Sequence, residues 1–127
     1  LEHITARIES RKNAVKYYAE ALQGLPFKPV LAKSHITENG YCAVGMIDPA
    51  LRPALIESLK KANVGFGTIY PGALSLQSGA KGHLVGKVDN GNAQYSSRSV
   101  LNLPCFAYIT KEELEYVCKT VRAHFGK

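Results

Sequence analysis

The chain has 127 residues, enough for one domain with a real hydrophobic core. Nearly half are apolar and a fifth charged, an ordinary globular composition. No apolar run approaches the roughly 20 residues that span a bilayer, and no apolar leader follows the acidic start Leu1-Glu2-His3. The net charge is +6, much of it on Arg7, Arg11, Lys12, Lys16, Lys28 and Lys33. An anion-binding face is one reading of that stretch. The other, favoured by helix periodicity, is the solvated side of an amphipathic helix. Aromatics interleaved for base stacking are absent there, so neither nucleic acid nor membrane is an expected partner.

Leu1, Ile4, Ile8, Val15, Tyr18 and Leu22 recur near helical spacing, and Gly24 with Pro26 stops the helix. This pattern opens without a start signal, so the chain is expected to continue a longer protein upstream. Segments 30–37 and 41–47 flank Glu38-Asn39-Gly40. Asn-Gly between two apolar runs predicts a hairpin, because both residues tolerate positive φ. Asp48 then N-caps a second helix with Pro49 at its first position. Leu51, Leu55, Leu59 and Ala62 form its buried stripe, and Asn63 ends it. Residues 64–70 are predicted as a third strand.

The next twenty residues are loop-rich, with a short strand expected over 84–88. Segment 93–101 is ambiguous: its serines are mediocre helix formers, yet Ala93, Val100 and Leu101 allow a short helix. Residues 106–109 are expected to be extended after Pro104. The last helix is well signposted. Thr110 and Glu113 form a capping box, Ile109 and Leu114 a hydrophobic staple. Leu114, Val117, Val121 and Phe125 supply its core face, and Gly126 stops it. The order of elements describes an α+β fold, a small, mainly antiparallel sheet packed with helices.

The chemistry on this framework is sparse. Cys42, Cys105 and Cys118 are odd in number, far apart and without a CxxC pair, as expected of reduced thiols in a cytoplasmic protein. The histidines (His3, His35, His83, His124) lack metal-ligand spacing, so no metal is expected. Gly65-x-Gly67 lacks the remainder of a dinucleotide fingerprint. Glu112, Glu113 and Glu115 are explained by the positive end of the last helix. No base can be nominated beside Ser75 or Cys105 to make either a nucleophile. Tyr70-Pro71 places a phenol at a rigid turn, and Ser75, Gln77 and Ser78 follow with hydrogen-bonding groups.

Four motifs in this order resemble one family. Residues 8–18 with Leu22 are similar to a helix of R-x-x-N-A-x-x-Y-x-x-x-L type. Residues 51–59 resemble its R-x-x-L-x-x-x-L helix. Residues 65–71 with Leu74 and Gln77 resemble its G-I-x-T … Y-P-x-x-L-H-x-Q segment. Residues 101–104 and 109–117 resemble its L-x-L-P … L-T-x-E-E-x-x-x-V ending. The chain thus resembles the C-terminal, small domain of the DegT/DnrJ/StrS family of sugar aminotransferases, of fold type I. Ser75 stands where that loop usually has histidine, and Cys42 where many members have histidine. The stretch between Thr68 and Tyr70 looks one or two residues short.

The resemblance implies that residues 1–127 are a single domain of a longer parent enzyme. That parent would bind pyridoxal phosphate and transfer an amino group, usually from glutamate, to a keto nucleotide sugar. The Schiff-base lysine and the cofactor's other ligands lie in the large domain of such enzymes, so no catalytic or cofactor-binding residue is carried over. Tyr70, Ser75 and Gln77 are the candidate substrate-binding residues. The expected partners are the missing large domain and a second copy in a homo-oligomer. The chain alone is expected to be inactive. The alternative is a stand-alone, non-enzymatic binding or interaction module derived from such a domain.

Overall fold

A computed structural model describes residues 2–69, 72–80, 82–85 and 91–127. Helix α1 spans Ile4–Ala21, strand β1 Lys28–Pro29 and strand β2 Ala43–Met46. Helix α2 covers Arg52–Lys61 and helix α3 Gly91–Ser99. Strand β3, Val100–Leu103, follows directly, and helix α4, Lys111–His124, comes last. Single 3-10 turns occupy Leu74–Leu76 and Ser78–Ala80. The sheet order is β1-β2-β3 with both pairs antiparallel, so the α+β architecture is as expected.

Burial alternates along β2 and β3, which gives the sheet one fully buried face. Ala43, Leu101 and Leu103 on that face join Val15, Tyr18 and Leu22 of α1, Leu55 and Leu59 of α2, and Leu114, Val117 and Val121 of α4 in one hydrophobic cluster. Helix α4 packs against both α1 and α2. Tyr18, 1% exposed, donates its hydroxyl proton to the carbonyl of Pro104 at 2.9 Å. That bond ties the first helix to the end of the last strand.

The ends of α4 are formed as expected. Thr110 Oγ1 accepts from the Glu113 amide at 3.2 Å, and Glu113 Oε2 accepts from the Thr110 amide at 2.7 Å. Ile109 and Leu114 are both buried beside them. Thr110→Ala removes one of the two reciprocal bonds and should lower stability by about 1 kcal/mol. A denaturant midpoint unchanged within error would show that packing alone holds this terminus.

Several expectations are corrected. The hairpin pairs only Lys28 with Met46 and Pro29 with Gly45, and one more bond joins the Val30 amide to the Val44 carbonyl at 2.8 Å. Residues 31–42 form an irregular connection instead of the long arms expected over 30–37 and 41–47. The Asn39 side chain is spent locally, accepting from the Tyr41 amide at 3.0 Å. Gly40, at φ 63°, lies so close to α1 that a Cβ there would come within 2.6 Å of the Lys12 nitrogen. The turn thus packs on a helix rather than closing a two-residue hairpin.

The second helix begins at Arg52 rather than Pro49. Asp48 is not its N-cap, a position that Leu51 takes without a side-chain bond. The Asp48 Oδ1 accepts from the Ala50 amide at 2.8 Å in the turn before the helix, and its carbonyl accepts from Leu51 and Arg52. The first turn is tight, and the regular helix follows it. Asn63 ends this element at φ 53°, as expected. The third predicted strand is reduced to one antiparallel bridge between Gly67 and Asn102. Ile69, at φ 45°, turns the chain away from β3 two residues later. Residues 84 and 85 form no strand; residues 86–88 of that expectation lie outside the described residues.

The ambiguous segment is a helix up to Ser99 and a strand from Val100. Residues 106–109 make a turn rather than an extended run. Tyr108 adopts φ 65°, and its amide donates to Ser10 Oγ of α1 at 2.7 Å. The stripe of α1 is buried from Ala14 onward, whereas Ile4 is 48% exposed.

Candidate functional site

The segment after α2 carries the motif of interest, and its backbone explains its path. Gly67 donates to the Asn102 carbonyl at 3.1 Å and accepts from the Asn102 amide at 2.7 Å. This exchange pins the segment to the outer edge of β3. Ile69 then takes a left-handed backbone, which costs a β-branched residue roughly 1–3 kcal/mol. Such strain persists only where the surroundings impose it, and here it lies in the segment that carries the sequence motif. Tyr70 itself lies outside the described residues.

Two grooves flank the segment. On one side an apolar groove of about 710 Å³ is lined by Val64, Phe66, Leu103, Pro104 and Phe106, with Tyr116 and Glu112 of α4 at its rim. The amide of Glu112 itself, then the Thr110 hydroxyl, hold the Glu112 carboxyl below its usual range. The other is a mixed cleft of about 360 Å³, with Ala73 and Leu76 among its lining residues. Gly72, Gln77 and Ser78 of the loop face Gln94, Ser97 and Arg98 of α3 across it.

The candidate residues are therefore not all brought together. Gln77 is half-buried and lines the mixed cleft, its Nε2 donating to the Gly72 carbonyl over a long 3.5 Å. Ser75 sits in the 3-10 turn Leu74–Leu76 and is half-buried, but does not line that cleft. Leu74 and Leu76 beside it are 81% and 63% exposed, an unusual placement for two leucines on one short turn. Cys42 lies half-buried just before β2.

Arg98 is the residue that sequence reasoning missed. It is exposed and forms no ion pair among the described residues. Its guanidinium offers a planar fork suited to carboxylate or phosphate. The helix under it is held from α2: Arg52 Nη1 donates to the Ser97 carbonyl at 2.8 Å and to the Val100 carbonyl at 3.1 Å. Those two bonds bracket Arg98 and fix the junction of α3 with β3. Ser97 Oγ adds a bond to the Gln94 carbonyl at 2.9 Å. The motif arginine of the second helix thus positions the cleft wall. Only the proximity of Arg98 to the Leu101–Pro104 motif could have drawn attention to it.

No described lysine lines either groove. Among the described residues, no group of three or more His, Cys, Asp or Glu could hold a metal. All three cysteines are free. No described helix is long and apolar enough to cross a membrane. Among the described residues of the two grooves, Arg98 is the cation and no lysine is present for covalent capture of a carbonyl cofactor. The residues present do not by themselves fit pyridoxal phosphate.

Known structures share this arrangement of elements. DesV of S. venezuelae, solved with a ketimine intermediate, superposes with a TM-score of 0.88 at 20% identity, over 97% of this chain and 33% of its own. The aminotransferase TlmJ of Streptoalloteichus hindustanus gives 0.86 at 18% identity, over 98% and 33%. Spr1654 of Streptococcus pneumoniae in its PLP form gives 0.80 at 19% identity, over 98% and 32%. At such identities the likeness is one of fold, and the chain spans about a third of the length of these proteins. No curated protein is matched. The model of the DegT/DnrJ/EryC1/StrS aminotransferase family, by contrast, matches residues 1–122, nearly the whole sequence. On that match, the chain belongs to the DegT/DnrJ/EryC1/StrS aminotransferase family.

Proposed function

We propose that this chain is the small-domain portion of a pyridoxal-phosphate-dependent aminotransferase acting on a keto nucleotide sugar in the cytoplasm. The family match over residues 1–122 is the observation that carries this reading. The division of labour follows from the residues present. The cofactor, held by a large domain, would supply the amino-transfer chemistry. This chain would supply a wall of the substrate cleft, with Gln77 on the loop and Arg98 on the helix opposite, and Tyr70 and Ser75 of the same segment as further substrate contacts.

Charge supports the assignment of Arg98. A nucleotide sugar carries a diphosphate, and a guanidinium lining a cleft, with no ion pair among the described residues, suits it. The exposed Leu74 and Leu76 suit contact with a large domain or with a second copy in a homo-oligomer.

The test is reconstitution of the parent polypeptide with its large domain and pyridoxal phosphate. Amino transfer from glutamate to a keto nucleotide sugar is expected from the whole protein, and none from this chain alone. Arg98→Ala should raise KM for the sugar nucleotide roughly tenfold, the loss of one charge-assisted contact. Activity of the isolated chain, or a whole protein that binds the sugar nucleotide without transferring nitrogen, would overturn the reading. The second result would favour a binding module derived from the enzyme.

A further inference from the structure

A different groove, of about 510 Å³, runs between α2 and α4. It shares no residue with the cleft of Gln77 and Arg98. Its lining includes Lys61, Lys119 and His124, with Ser58 and Thr120, whose hydroxyls donate to the Ala54 and Tyr116 carbonyls of their own helices, and no described acidic residue. Four features make it more than a solvated helix face.

The nearby carboxylates are already engaged. Glu57, one turn before Lys61, pairs with Lys60 at 2.7 Å. Glu115, one turn before Lys119, pairs with Lys111 at 3.5 Å. Lys61 and Lys119 form no ion pair among the described residues, although the field of Lys61 reaches Glu57. Arg122 is turned away, donating to the Ala21 carbonyl of α1. Lys61 of α2 and Lys119 of α4 therefore line the groove from its two helices, with no ion pair to either among the described residues.

Several carbonyls at the negative helix ends are also covered. An anion near the C-terminus of a helix is normally repelled by the exposed carbonyls. Here the Tyr116 hydroxyl donates to the Ala62 carbonyl at 2.9 Å, and the Gly126 and Lys127 amides bond back to the Ala123 and Arg122 carbonyls. The ring of His124 is fixed as well, with Nδ1 2.8 Å from Ser58 Oγ and its plane edge-on to Phe125. Between the cations, Ala62, Ala123 and the Tyr116 ring leave a mainly apolar floor.

The geometry points to a binding site for a phosphate monoester of a small molecule. The phosphate sits between Lys61 and Lys119 within reach of His124, and the apolar part of the ligand lies on Tyr116 and the two alanines. Ammonium groups bind phosphate as point charges with rotatable donors, so two of them, one from each helix, suit a tetrahedral anion better than a planar one.

Phenyl phosphate and inorganic phosphate are the probes, titrated into the full chain and followed by NMR. Saturable shifts at the His124 ring and the Thr120 amide are expected, with phenyl phosphate the tighter ligand. Lys61→Ala with Lys119→Ala should weaken phenyl phosphate at least tenfold; both side chains are exposed, so the fold should survive. Lys28→Ala with Lys33→Ala removes the same charge elsewhere and should leave binding unchanged. Shifts that never saturate, or equal weakening in both double variants, would mean a diffuse basic surface and would overturn the site. Equal affinity for the two probes would overturn the apolar subsite.

Discussion

Gly45→Ala should be strongly destabilising, costing about 3 kcal/mol. Gly45 lies in the central strand, opposite Leu101 and on the buried face. The ring of Phe27, itself 2% exposed, lies against it. A Cβ on Gly45 would fall well inside van der Waals contact with three ring atoms of Phe27. Neither partner can give way easily. The strand is paired on both sides, and Phe27 is packed in the cluster shared with α1 and β2. Overpacking of a close-packed interior usually costs about 1–3 kcal/mol, and a backbone held on both edges puts this case at the upper end.

Two controls give the measurement its meaning. Gly65→Ala adds the same methyl where nothing lies within 4 Å. It should change stability by less than about 1 kcal/mol, and in the stabilising direction, because it restricts the unfolded chain. Phe27→Leu should be less harmful on the Gly45→Ala background than in the native chain, because the smaller side chain vacates the contested space. Equal denaturant midpoints for Gly45→Ala and Gly65→Ala would refute the packing argument.

The same pair of residues shows what a sequence can and cannot reveal. Helix ends were legible because they are local chemistry: Thr110 with Glu113, Asp48 before α2 and Asn63 after it each bond within a few residues. The helical stripes of Leu55, Leu59, Leu114, Val117 and Val121 were legible by periodicity. Illegible were the places where a distant element claims a backbone group. Tyr108 turns because Ser10 of α1 takes its amide, and Gly40 is bent against α1 rather than across a hairpin. The site divides in the same way. The loop carries a motif, and Gln77 of that loop lines a cleft. Arg98 was not found, because only the tertiary bonds from Arg52 bring α3 opposite the loop. Serine-rich sequence gives no sign of such a role.

The second large effect expected is a loss of stability at alkaline pH, driven by two buried groups of one cluster. Burial pushes the Tyr18 hydroxyl well above its usual range, and the neighbouring Cys118, Cys105 and Glu113 push it further the same way. Burial also pushes the Cys118 thiol up to about 11 from 9.0, against a smaller pull from Arg122. Both groups are thus held protonated in the folded chain at pH values where the unfolded chain has released the proton. Their contribution is fully present below the unfolded pKa values and is lost as pH rises. The loss begins near pH 9 for Cys118 and near pH 10 for Tyr18, at up to about 1.4 kcal/mol per pH unit for each. It ends for Cys118 near pH 11, where the folded thiol ionises as well, and continues beyond that for Tyr18. Tyr18→Phe separates the two. At neutral pH it forfeits the bond to Pro104 and should cost about 1 kcal/mol. Above pH 10 it has no proton to lose, so its stability should fall less steeply than that of the native chain. The two curves should cross at alkaline pH. Parallel curves in denaturant titrations from pH 7 to 12 would show that Tyr18 ionises as readily folded as unfolded, and would place its hydroxyl in water rather than against Pro104.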